Sequence, residues 1–228
     1  MNLTGKSVVI TGGSSGLGYA IAQLLTTKNA LVHLVGQSMS KLSEAAINLN
    51  YPHLSVFPAD VSNYDQLSQV FSTIGQVDVV INCAGVWLEG ELDAYKHESI
   101  SKLIDINVKG TIYACQLALP QMRARNEGYL MNVSSTYGLL LRKAGSVYGA
   151  SKYAVRGFSE FLREDLKDTN VKVACLYPGA MKTNLFANAG ILKNMDNFLD
   201  PIQMAEVALF MLERDDQMVM SEVLVERQ

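Results

Sequence analysis

Charge is scarce in this chain. Asp, Glu, Lys and Arg make up 18% of the 228 residues, against roughly 25% in ordinary soluble domains. The 19 basic and 22 acidic residues leave a net charge of −3. With no basic surplus to neutralise a phosphate backbone, nucleic acid is excluded as a partner. Cysteine is sparse too: Cys83, Cys115 and Cys175 lie far apart with no C-x-x-C spacing. That excludes a disulfide framework and a thiolate zinc site, and predicts reduced thiols in a cytoplasmic protein. His33, His53 and His97 show no metal-like spacing, so no metal is expected. Long apolar runs are lacking; 77–81 and 207–212 fall well short of the ~18 residues that span a bilayer, so no membrane partner is expected. No signal peptide is expected either, because 7–11 already reads as a strand.

What the chain has instead is apolar surface, 49% of its residues. A chain of this size buries on the order of 70–75% of its unfolded surface, which excludes intrinsic disorder. Short apolar runs, predicted as strands at 7–11, 30–36, 54–58, 77–82, 128–134, 171–177 and 223–227, alternate with helical periodicity at 16–27, 40–49, 64–74, 98–125, 148–167 and 201–213. Strands apolar on consecutive positions are those of a parallel sheet covered on both faces. Asn29 suits a left-handed helix cap, and Asp200-Pro201 reads as an N-cap followed by proline at the first helical position. No repeat or linker divides the chain. The expectation is one α/β domain over 1–228, a Rossmann-type doubly wound parallel sheet of about seven strands in three α/β/α layers.

The first strand runs into Thr11-Gly12-Gly13-Ser14-Ser15-Gly16-Leu17-Gly18. Glycines at 12, 16 and 18 allow a tight turn, a close approach to a pyrophosphate and packing of the helix on the sheet. The amide groups and the positive end of the helix dipole would then face the phosphates. A Walker loop is excluded, since Tyr19 and Ala20 stand where it needs Lys and Ser or Thr.

Tyr148 and Lys152 lie four residues apart on one predicted helix and therefore share a face. A phenol with a pKa near 10 is a poor proton shuttle at neutral pH unless a positive charge stands nearby. Ser135, at the end of the fifth strand, can donate a hydrogen bond to an oxygen that gains charge as hydride arrives.

T-G-x-x-x-G-x-G, Asn82-Cys-Ala84-Gly85, Asn107, Asn132-Val-Ser-Ser135, Tyr148-x-x-x-Lys152 and Pro178-Gly179 with Thr183 follow one another from residue 11 to residue 183. In content and order they resemble the short-chain dehydrogenases/reductases. Cys83 departs from that family's N-N-A-G, and 219–228 lacks the V-D-G-G ending of many acyl-carrier reductases. The resemblance implies a nicotinamide-dependent oxidoreductase with catalytic residues Asn107, Ser135, Tyr148 and Lys152. The Ser135 to Tyr148 separation of 13 positions favours Ser135 over Ser134, and Asn107 would hold a water linking Lys152 to solvent. Asp60 and Val61 would hold the adenine, and Pro178, Gly179 and Thr183 would close over the nicotinamide. Ribose specificity is set at the end of the second strand. There Gly36-Gln37-Ser38 contains no acid to repel a 2′-phosphate, so NADP(H) is expected, with NAD(H) as the alternative.

By the same resemblance, the substrate meets Trp87 and Leu88, 139–143, and the 184–199 segment, which reads as a mobile lid. These residues suit an apolar ketone, aldehyde or secondary alcohol. A 3-oxoacyl-type reductase, an epimerase acting on nucleotide sugars and a cofactor sensor without turnover are the competing readings. The long helices at 98–125 and 148–167 pair between subunits in relatives, so a homodimer or homotetramer is expected.

Overall fold

The computed structural model describes residues 1–215 and 217–227. Seven strands form one parallel sheet: β1 Ser7–Thr11, β2 Leu31–Gly36, β3 Leu54–Pro58, β4 Val79–Asn82, β5 Gly128–Val133, β6 Val171–Pro178 and β7 Glu222–Val225. Their order is β3-β2-β1-β4-β5-β6-β7, so the connections wind outwards in both directions from β1 and β4. Alternation along each strand serves two cores. Val8, Ile10, Val32 and Leu34 pack beneath α1 Gly16–Thr26, α2 Met39–Leu49 and α8 Pro201–Leu212. Val9, Val35, Val80 and Leu130 face α3 Tyr64–Ile74, α5 Gly110–Arg125 and α6 Ser146–Asp165 on the other side. The doubly wound three-layer architecture is the one expected.

Local signals end the helices where they occur. Asn29 has φ 55° beyond α1, and Asp200 caps α8 in a capping box with Gln203. One expectation fails: 98–125 is not one regular helix. α4 His97–Ile104 passes into α5 through a π-helical turn at Asp105–Lys109. α5 carries almost no apolar stripe of its own, so a phase shift at the turn leaves no mark in the periodicity. The turn packs closely, since a Cβ on Gly110 would stand 2.6 Å from Val61 Cγ2. Near the C-terminus Met220 packs on the core, while Met218 is 54% exposed and does not support the last strand.

Polar side chains cross the middle of the sheet. Thr11, Asn82 and Asn132 stand in register on β1, β4 and β5. Thr11 Oγ1 accepts from Ala84 N (3.2 Å) and donates to Asn82 Oδ1 (3.4 Å). Asn82 Nδ2 donates to Asn132 Oδ1 (2.9 Å), and Asn132 Nδ2 donates to Ser159 Oγ (2.9 Å) on α6. Ser159 Oγ ends the chain on the Val155 carbonyl (2.7 Å). Replacing Asn132 by Ala leaves Asn82 Nδ2 and Ser159 Oγ without these partners. The expected cost is about 2 kcal/mol or more, read as a lower urea midpoint with an unchanged m-value.

Candidate active site

The C-terminal ends of β1, β4, β5 and β6 open into a cavity of about 520 Å³. Gly12 (φ 66°) and Gly16 (φ 55°) turn the chain from β1 into α1. A Cβ on Gly12 would lie 2.9 Å from the Ala84 backbone, and one on Gly18 would lie 2.6 Å from the Gly12 carbonyl. Only glycine lets these backbones close. Ser15 is the N-cap of α1 but makes no side-chain cap. The first-turn amides, for which a helix has no internal acceptor, therefore meet no capping side chain where Gly16, Leu17 and Gly18 line the cavity. This cradle fits a pyrophosphate.

Of the expected site residues, Gly12, Ser15, Gly16, Leu17, Gly18, Ala84, Gly85, Ser135, Tyr148, Lys152, Pro178, Gly179 and Thr183 line the cavity. Ser14 lies beside it, with Oγ 3.6 Å from where a Cβ on Gly36 would stand. Gly36, Gln37 and Ser38 follow at the end of β2, where Gln37 is exposed and Ser38 Oγ caps α2 by accepting from Lys41 N (3.3 Å). Asp60 follows β3 and accepts from Ser62 N and Oγ (2.8 and 2.6 Å). Val61 is buried against Gly110. Asn82 turns its side chain into the sheet rather than the cavity, so it bears on Ala84 through Thr11.

The Ser135, Tyr148 and Lys152 group is held from two elements. Tyr148 and Lys152 share a face of α6, and Lys152 Nζ lies 5.7 Å from the Tyr148 ring centroid. Lys152 Nζ donates to the Val133 carbonyl (2.9 Å). Ser135 Oγ accepts from Tyr137 N (3.3 Å) and lines the same cavity as Tyr148. Ser134 is occupied elsewhere, its Oγ donating to the Lys152 carbonyl (2.9 Å). Asn107 enters from the π turn: its Oδ1 accepts from Val86 N (2.8 Å), and its Nδ2 donates to Val86 O and Ser151 Oγ (both 3.1 Å). Its carbonyl accepts from Thr111 Oγ1 (3.0 Å). The Asn107 side chain thus anchors the segment after β4.

Burial dominates the electrostatics. It pushes the Tyr148 phenol above its ordinary value, opposed by the Ser135 hydrogen bond. It lowers the Lys152 ammonium to about 8. Burial also pushes the Cys83 thiol up to about 12, so this cavity residue stays protonated at neutral pH.

One wall of the cavity is aromatic. Trp87 lies with its ring centroid 4.2 Å from Tyr148, 5.1 Å from Tyr137 and 4.9 Å from Phe186. The 184–199 segment is mostly irregular. It carries α7 Leu185–Asn188 and is closed at its neck by the Met181–Leu199 bridge. Sequence reasoning missed Tyr137, Phe198 and the Glu89–Lys193 ion pair (2.8 Å) that joins this segment to the loop after β4. Tyr137 sits in a 3-10 turn after β5, where no strand alternation marks it. No local signal marks a pair separated by 104 positions. No group of three or more metal-ligating side chains occurs among the described residues. No helix among them is long and apolar enough to cross a membrane.

A family model described as short chain dehydrogenase matches residues 6–193. An uncharacterized oxidoreductase of Staphylococcus aureus (strain MW2) is 35% identical over 229 residues, covering 98% of this chain and 97% of the relative. A closed form of serine dehydrogenase complexed with NADP+ superposes with a TM-score of 0.90 at 27% identity, covering 96% of this chain and 94% of that one. A 3-oxoacyl-[acyl-carrier protein] reductase from Brucella melitensis with bound NAD gives 0.87 at 25% identity, covering 98% and 90%.

The depressed Lys152 pKa sets a stability test on the cofactor-free protein. Below about pH 8 the folded state buries a charged ammonium; between about 8 and the ordinary 10.5, the unfolded chain binds the proton and the folded one does not. Stability from this group therefore rises with pH across that window. Lys152→Met is expected to stabilise the protein at pH 7 by about 1–3 kcal/mol, with the advantage fading by pH 10.5. Urea unfolding at the two pH values checks it.

Proposed function

The chain belongs to the short-chain dehydrogenase family, and on that premise we propose that it is an NADP(H)-dependent oxidoreductase. Its substrate in this reading is a small or apolar ketone or aldehyde, or in reverse a secondary or primary alcohol. The observation that carries it is the meeting of Ser135, Tyr148 and Lys152 on one cavity that also contains the glycine cradle.

When bound, the reduced nicotinamide supplies a hydride to the carbonyl carbon. Tyr148 gives its hydroxyl proton to the carbonyl oxygen, completing the alcohol. Ser135 donates a hydrogen bond to the same oxygen as charge gathers there. Lys152, held by the Val133 carbonyl, favours the phenolate that Tyr148 becomes, and Asn107 holds the water that returns a proton. Gly12, Ser14, Ser15, Gly16, Leu17 and Gly18 receive the pyrophosphate. Gly36, Gln37 and Ser38 receive the ribose phosphate, Asp60 and Val61 the adenine, and Ala84, Gly85, Pro178, Gly179 and Thr183 the nicotinamide end. Support for NADP(H) comes from the absence of an acid at 36–38 and from the NADP+ in a similar structure; the NAD in another keeps NAD(H) as the alternative. The aromatic wall supports an apolar substrate. This reading also makes the protein a cytoplasmic homodimer or homotetramer, supported by three free cysteines and by Phe161, 76% exposed on α6.

Tyr148→Phe is expected to lower kcat for carbonyl reduction by about 10²-fold or more, with NADPH binding, followed by its fluorescence, unchanged. Tight NADPH binding with no compound of a carbonyl library reduced would replace this reading with the sensor. A pH profile follows from Lys152. Reduction needs the proton on Tyr148, which burial helps it keep, and the charge on Lys152, which rising pH removes. kcat/KM for reduction is therefore expected to fall above about pH 8 and, in Lys152→Arg, to hold to higher pH.

A further inference from the structure

The chain contains one tryptophan, and it stands in the way of the reaction. Trp87 lines the cavity and is 8% exposed. At 4.2 Å between centroids, nothing fits between its indole and the Tyr148 ring. A flat molecule stacked between two rings needs about 3.5 Å on each side, or about 7 Å in all. The indole is caged by rings in tilted or edge-on contact: Tyr137 at 87°, Phe186 at 71° and Tyr148 at 51°. Tyr137 and Tyr148 also meet at 5.4 Å and 79°, and Phe198 backs Phe186 at 5.7 Å. These are the geometries in which the quadrupoles of aromatic rings attract. Removing the indole would leave a ring-shaped slot beside the tyrosine hydroxyl.

A polar tie holds the indole in place. Trp87 Nε1 donates to Glu89 Oε2 (3.2 Å), and Glu89 accepts from Lys193 Nζ (2.9 Å to Oε1, 2.8 Å to Oε2). Lys193 belongs to the segment that carries Phe186, whose ring centroid lies 5.8 Å from its Nζ.

We propose that Trp87 occupies the seat of an aryl group on the substrate, so that the site selects aromatic ketones and aldehydes and their alcohols. The incoming ring takes over the contacts with Tyr137, Phe186 and Tyr148, and the indole swings out once Glu89 and Lys193 part. Glu89 and Lys193 are positioning residues in this scheme. The proposal rests on the oxidoreductase reading for its chemistry, but the seat itself is tested separately.

The first experiment uses the Tyr148→Phe protein loaded with NADP+, excited at wavelengths that only tryptophan absorbs. Titration with 1-phenylethanol is expected to give a saturable red shift of Trp87 emission, and 2-butanol none at equal concentration. No shift with 1-phenylethanol, or the same shift with both alcohols, overturns the proposal. In turnover, Trp87→Ala is expected to lower KM for acetophenone by about tenfold relative to 2-butanone, while Trp87→Phe keeps the wild-type ratio. Glu89→Gln is expected to move the ratio the same way by about threefold, and Glu89→Asp to restore it. An unchanged ratio in both Trp87→Ala and Glu89→Gln overturns the seat. If wild-type protein reduces neither ketone, the oxidoreductase reading fails, while the emission titration still decides the seat.

Discussion

The site depends on the chain of buried hydrogen bonds that runs from Ala84 N through Thr11, Asn82, Asn132 and Ser159 to the Val155 carbonyl. Strands that are apolar on both faces carry little information about register, because a slipped strand still buries hydrophobic groups. The amides supply what that pattern lacks. A slip by one residue would leave Asn82 and Asn132 in a dry sheet without partners, at the cost of unsatisfied buried polar groups. The same chain links the segment after β4 to α6. The glycine cradle, Lys152 and Tyr148 therefore stand at set distances from one another because the sheet is in register.

The π turn acts on the other flank. An extra residue between α4 and α5 turns Asn107 inward, where its amide holds Val86 and Ser151. Val86 precedes Trp87, so the path from the helix to the aromatic wall is a single residue long. The widened turn thus has a local cost in helix geometry and a return in the placement of the substrate loop.

Fold and reactive centre were largely legible because both are local in sequence. Strand and helix periods, the glycine spacing of 12–18 and the four-residue step from Tyr148 to Lys152 are set by backbone geometry alone. Spacing favoured Ser135 over Ser134, and in the structure the Ser134 hydroxyl is engaged by the Lys152 carbonyl. The role of Asn82 was not legible, since a residue at a strand end can face either the cavity or the next strand, and pairing with Asn132 decides it. The tie through Glu89 and Lys193 joins segments distant in the chain, so no period or motif carries it. The 184–199 segment, rich in Asn, read as loose because composition does not register a closed neck or the burial of Phe186.

That neck has a consequence for how the protein can change. Met181 and Leu199 are bridged, and Lys182 N donates to the Leu199 carbonyl (2.9 Å) while Leu199 N donates to Ala180 O (2.9 Å). The residues between them begin and end at this one isolated bridge beyond β6, outside the seven-stranded sheet, so their length and composition are decoupled from its register. Loop-closure entropy grows slowly with length. The segment is in effect a cassette that lineages, or protein engineers, can exchange to redirect the chemistry without rebuilding the scaffold beneath it.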